Sequence, residues 1–145
     1  MPIRRTTTDA EISGYIEERA KILRQACLNN LIYVGEQAVT ESRRNHRYKD
    51  QTGNLTSSVG YCVLDNGKVV RESSFEALKP GAAGSQEGRQ FLSRLISEHS
   101  EGLVLILVAG MNYAAYVEAK NLNVLDSAEQ LAERELPRLF KALKL

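Results

Sequence analysis

The residues best equipped for chemistry lie in "GMNYAAYVEAK" (residues 110–120), directly after the most apolar run of the chain, "LVLILVA". Tyr113, Tyr116 and Glu118, joined by His99 from further upstream, would supply a carboxylate, a ring nitrogen and two phenols to a proton-transfer site behind a buried strand, where open sheets often place ligands. On an extended segment Tyr116 and Glu118 share a face, and on a helical turn Tyr113 approaches Tyr116. Neither arrangement pairs a nucleophile with a base. Tyrosine is also common at corners and interfaces, where the ring packs and the hydroxyl finds a partner. The structural reading is the better supported, with Glu118 left exposed or touching a neighbour.

A second cluster, "RRNHRYK", places Arg43, Arg44, Arg47 and Lys49 around Tyr48. Four cations beside an aromatic ring could hold phosphates while the ring stacks on a base. The alternative is a basic helix C-terminus favoured by the macrodipole. His46 and His99 stand outside any H-x-x-x-H or H-E-x-x-H pattern, and Cys27 and Cys62 outside any C-x-x-C pattern, so no metal set is expected. The glycine-rich "PGAAGSQEG" lacks the lysine of a phosphate loop and reads as a flexible loop. Neither an enzyme nor a cofactor site is expected.

The elements that must position these residues follow from periodicity. After a loose arm (residues 1–7), Thr8 and Glu11 have the spacing of a capping box. Apolar residues then recur at intervals of three and four from Ile16 to Ala38, predicting a helix from Thr8 to Arg44. Such a helix is roughly 55 Å long, against about 40 Å for the diameter of a domain of this size. It must overhang, bend or break, with Gly14 and Gly35 as weak points. Two strand-like runs flank Asp65-Asn66-Gly67 and predict a hairpin. Ser85 is expected to cap a helix reaching about His99. "LVLILVA", apolar on both faces, is expected to be a central strand covered by helices. Asp126 with Glu129 marks the last helix, which Pro137 should kink or divide near Leu136.

The order predicts one α+β domain over residues 1–145, with a small, mainly antiparallel sheet against a long N-terminal helix, a middle helix and a C-terminal helix. With 19 basic and 18 acidic residues the net charge is +1, so no bulk field points to nucleic acid or an acidic membrane. No apolar run approaches the roughly 18 residues of a membrane span. Free cysteines and no apolar leader suggest a soluble chain made in a reducing cytoplasm.

Two motifs in fixed order add a resemblance: "QTGNLTSSV" (Gln51 to Val59) and then "NYAAYVEAK" (Asn112 to Lys120), between a long amphipathic helix and a closing helix. This resembles the neck, or tail-completion, proteins of long-tailed bacteriophages and prophages. Thr52, Gly53, Asn54, Leu55 and Ser58 match the first motif of that family, and Tyr113, Ala114, Tyr116, Val117 and Glu118 the second. Thr56 stands where the family commonly has arginine, and Ala119-Lys120 replaces its glycine. The resemblance implies a structural virion protein that forms a ring with itself, hexameric by analogy, at the head-to-tail junction or top of the tail. It implies neighbouring head-completion or tail proteins as partners, DNA passing through without being read, and assembly in the bacterial host cytoplasm. The alternative is a small nucleic-acid-binding module built on Arg43, Arg44, Arg47 and Lys49.

Overall fold

The computed structural model describes residues 3–4, 6–46, 48, 53–75, 81–111, 114–120 and 122–143, without the side chains of Ala115 and Tyr116. Helix α1 spans Asp9–Arg44, and the capping box forms as the spacing predicts. The Glu11 amide donates to Thr8 Oγ1 at 3.2 Å, and the Thr8 amide donates to Glu11 Oε2 at 3.1 Å. Two backbone donors that a helix start leaves unpaired are thereby satisfied.

The length conflict is resolved by overhang. Helix α1 is unbroken through both Gly14 and Gly35, and every residue from Asp9 to Ile22 is exposed. Burial begins in earnest at Leu28, beyond the ion pair of Arg24 with Asp65.

Strands β1 (Val59–Asp65) and β2 (Lys68–Glu72) form the expected hairpin. Its turn places Asn66 at φ 50° and Gly67 at φ 83°, the left-handed conformations that a tight hairpin turn requires. Strand β3 (Leu103–Ala109) pairs antiparallel with β1 from Val59↔Ala109 to Asp65↔Leu103, giving the order β2-β1-β3. The central strand is therefore β1, and the apolar β3 lies at an edge. Its side chains are apolar on both faces because helices cover both, not because strands flank both sides. Val59, Tyr61 and Val63 pack with Leu103, Leu105 and Leu107 toward α1. Cys62 and Leu64 pack with Ile106 and Val108 toward Phe91, Leu92 and Leu95 on the opposite side.

That opposite helix, α3 (Ala82–Ser97), corrects two expectations. Its N-cap is Gly81, and Ser85 lies inside the first turns with its hydroxyl donating to Gly81 O at 3.4 Å. The stretch read as a flexible loop is helical from Ala82 onward; residues 76–80 lie outside the described residues. A short helix α2 (Asn54–Ser57) precedes β1.

Helices α4 (Ala114–Ala119) and α5 (Asp126–Lys141) close the chain. Asp126 does not cap α5; the N-cap is Leu125, without a side-chain bond of its own. Nor does Pro137 divide the helix, which continues to Lys141. Helix α5 runs antiparallel to α1: Ser42 donates to Val124 O near its start, and Leu143 shares a cleft with Leu23 and Cys27 past its end. The architecture is α+β, a three-stranded antiparallel sheet with α1 and α5 on one side and α3 on the other. No helix among the described residues is long and apolar enough to cross a membrane.

Candidate functional site

The two motifs, far apart in sequence, meet at one end of the sheet. In the first, Thr52 lies outside the described residues, and Gly53 takes φ 72° to enter α2. Asn54 Oδ1 accepts from the Gly84 amide at 3.1 Å, so an asparagine here ties α2 to the first turn of α3. Leu55 is buried with Tyr48, Ala114 and Val124. The Ser58 hydroxyl donates to Leu55 O at 2.7 Å, while its carbonyl accepts from the Gly110 amide at 3.1 Å. First motif and second are thus joined by Leu55 to Ala114, and Ser58 holds the chain at Gly110, just ahead of the second motif.

Backbone proximity makes this junction possible. An ideal Cβ at Gly84 would lie 1.9 Å from Asn54 O, one at Gly88 2.5 Å from Ser58 O, and one at Gly110 2.3 Å from Gly88 Cα. Gly84 and Gly88 of "PGAAGSQEG" therefore serve close packing of α3 on α2 and on the end of β3. A loop reading missed them because the missing side chains that look like flexibility are what lets the backbones touch.

In the second motif, Tyr113 and the side chain of Tyr116 lie outside the description, and Val117 is half-buried. Glu118, expected to be exposed or touching a neighbour, is half-buried. Its carboxylate accepts from three successive backbone amides, Val124 at 2.6 Å, Leu125 at 2.5 Å and Asp126 at 2.7 Å. This is the missing cap of α5, supplied from outside the helix, with the negative charge at the positive end of the dipole. Asn123, at φ 56°, completes it: Oδ1 accepts from the Ser127 amide at 3.0 Å and Nδ2 donates to Asn45 O at 2.9 Å. The sequence signal for Asn123 was an asparagine just before a helix start, passed over in favour of Asp126.

The two described members of the proton-transfer set, His99 and Glu118, do not converge. The His99 carbonyl lies beside Gly67 at the hairpin turn, whereas Glu118 follows the far end of β3, roughly 20 Å away along a seven-residue strand. A carboxylate that already accepts three backbone amides is also poorly placed to accept a substrate proton.

The basic cluster is divided as well. Arg43 Nη2 reaches inward to Val59 O at 2.7 Å and Ser74 O at 3.4 Å, pinning α1 to the sheet. Arg44 is exposed, and Arg47 and Lys49 lie outside the described residues. Tyr48 is 7% exposed, its hydroxyl 2.9 Å from Thr56 Oγ1 and its ring stacked on His46 at 4.2 Å. Its ring is thus packed inside, not offered to a base.

A further polar contact that escaped sequence reasoning involves Tyr61. The Tyr61 ring packs flat on α1 where Gly35 leaves space; a Cβ there would lie 2.5 Å from the ring. Its hydroxyl donates to Glu36 Oε1 at 2.5 Å. Burial, with the adjacent Glu36 carboxylate, pushes the phenol up to about 12. Burial likewise pushes the Cys62 thiol up to about 11, which leaves it an inert core group. Among the described residues no group of three His, Cys, Asp or Glu could hold a metal ion.

Comparison of the chain with protein-family models, with curated proteins and with solved structures finds no match in any of the three.

Proposed function

We propose that this chain is a structural subunit of a tailed-phage or prophage virion, forming a ring at the head-to-tail junction or top of the tail. The observation that carries this reading is the packing of the two motifs into one joint. Their residues hold helices and strand ends together through backbone contacts, and Glu118 spends its carboxylate on a helix cap. Such a joint suits a scaffold that must keep its shape under load.

The sheet supports the ring. Among the described residues no strand pairs with the outer edge of β2 or of β3, and these edges lie on opposite sides of the sheet. A closing ring needs two different surfaces on each subunit, and open strand edges are ready templates for a neighbouring chain. Val69 and Val70 on β2 are 47% and 41% exposed. A net charge of +1 suits a conduit, since a strongly basic lumen would retain the phosphate backbone.

Electron microscopy of particles from a bacterial lysogen carrying the gene, with a gold-labelled antibody against this chain, tests the proposal. Gold at the head-to-tail junction is the expected result. Absence of the chain from purified particles, or label spread over the capsid or tail shaft, overturns it.

A further inference from the structure

The exposed half of α1 carries its own pattern. Ile12, Tyr15, Ile16 and Ile22 are 38%, 66%, 60% and 57% exposed, so the apolar stripe that α5 covers further along the helix runs on without a cover among the described residues. Ile16, Ala20 and Leu23 line an open groove that ends against Leu143. Helix α5 is the natural lid for this stripe, lying antiparallel to it, and it stops short.

The charges say what could continue the lid. Between residues 9 and 18 every charged residue is acidic: Asp9, Glu11, Glu17 and Glu18. From residue 19 to residue 27 every one is basic, Arg19, Lys21 and Arg24, of which Arg24 is already paired with Asp65, so Arg19 and Lys21 carry the charge toward a partner. A second copy of this segment laid parallel would set acid against acid and base against base. Laid antiparallel, it sets the acidic stretch of each copy along the basic stretch of the other, and an Ile16 against a Leu23.

We infer that the free protein pairs with a second copy of itself through antiparallel α1 overhangs. Each overhang fills the partner's groove beyond Leu143, so that every α1 is covered first by its own α5 and then by the partner's α1. Apolar seams flanked by opposite charges specify both partner and orientation in paired helices. The contact is two-fold and uses neither sheet edge, so it stands independently of the ring reading.

Sedimentation equilibrium of the full chain tests it. The wild type should sediment at twice the 16.1 kDa chain mass, and the dimer should weaken as salt screens the paired charges. Ile16→Asp should raise the dimer Kd at least ~10-fold, about 1.4 kcal/mol, with unchanged circular dichroism because the side chain is solvent-facing. Two charge variants, Glu17→Lys with Glu18→Lys and Arg19→Glu with Lys21→Glu, should each dimerise poorly alone and recover when mixed. A wild type that stays monomeric, a dimer indifferent to Ile16→Asp, or a mixture no tighter than either variant alone would overturn the inference. A ring seen by microscopy together with any of those results would leave the ring reading standing and remove only this contact.

Discussion

The two halves of α1 are one helix with opposite surroundings. Gly14 has nothing within 4 Å of where a Cβ would sit, whereas at Gly35 the Tyr61 ring would be 2.5 Å away. The same residue type is a dispensable weakness in the first half and a fitted socket in the second. Composition therefore says little about a glycine's role; what the backbone touches decides it. The second half belongs to the core and to the motif junction, and the first half belongs to whatever the molecule meets.

The largest test of that contrast lies at the junction. Gly84→Ala puts a methyl 1.9 Å from Asn54 O, against backbone that cannot swing aside. It should destabilise the fold by about 3 kcal/mol or more in urea unfolding, and a loss under 1 kcal/mol would mean that α2 and α3 are not in backbone contact. Glu118→Gln should cost about 2 kcal/mol, since three amides lose a charged acceptor, and amide exchange should rise first at the start of α5. Tyr61→Phe should cost about 1 kcal/mol by removing the bond to Glu36.

Tyr61 also carries a pH signature. Its folded pKa of about 12 lies above the ordinary value of 10.0, so the folded state holds its proton longer and the stability it contributes is complete below pH 10. That contribution is lost as pH rises from 10 to 12. Urea titrations across this window should show the wild type falling more steeply than Tyr61→Phe, while Cys62, raised to about 11 from 9.0, gives both proteins the same decline from pH 9.

The smallest effect should have the opposite sign. Gly14→Ala adds a methyl in open space on an exposed helix and should favour helix by about 0.5–1 kcal/mol locally. Helicity by circular dichroism should rise slightly while the unfolding midpoint of the core stays put. A fall in the core's midpoint would show that the overhang is packed against the domain after all.

Helices and hairpin were readable in advance because their signals are local. A capping box at Thr8 and Glu11, a threefold-and-fourfold apolar rhythm, and Asn66-Gly67 between strand-like runs each act within a few residues. The place of β3 was not readable, because a strand covered by helices on both faces and one flanked by strands on both sides bury the same side chains. Glu118 and Asn54 were hidden for a related reason. Each bonds to backbone that the chain brings near only after folding, and single-sequence patterns carry no trace of which amide will be waiting. Gly84 and Gly88 were misread as slack because a glycine in a loop and a glycine in a close contact are the same letter.

The Tyr61 ring seated on Gly35 has one more consequence, which is metric. A helix lying on a sheet could slide, but here a slip of one residue would move α1 by about 1.5 Å, turn it by roughly 100°, and bring Val34 or Glu36 against the ring. The seat therefore acts as a detent on a ruler: it fixes how far α1 protrudes and which way its stripe faces. Any partner that reads the tip of this helix reads a length set in the core.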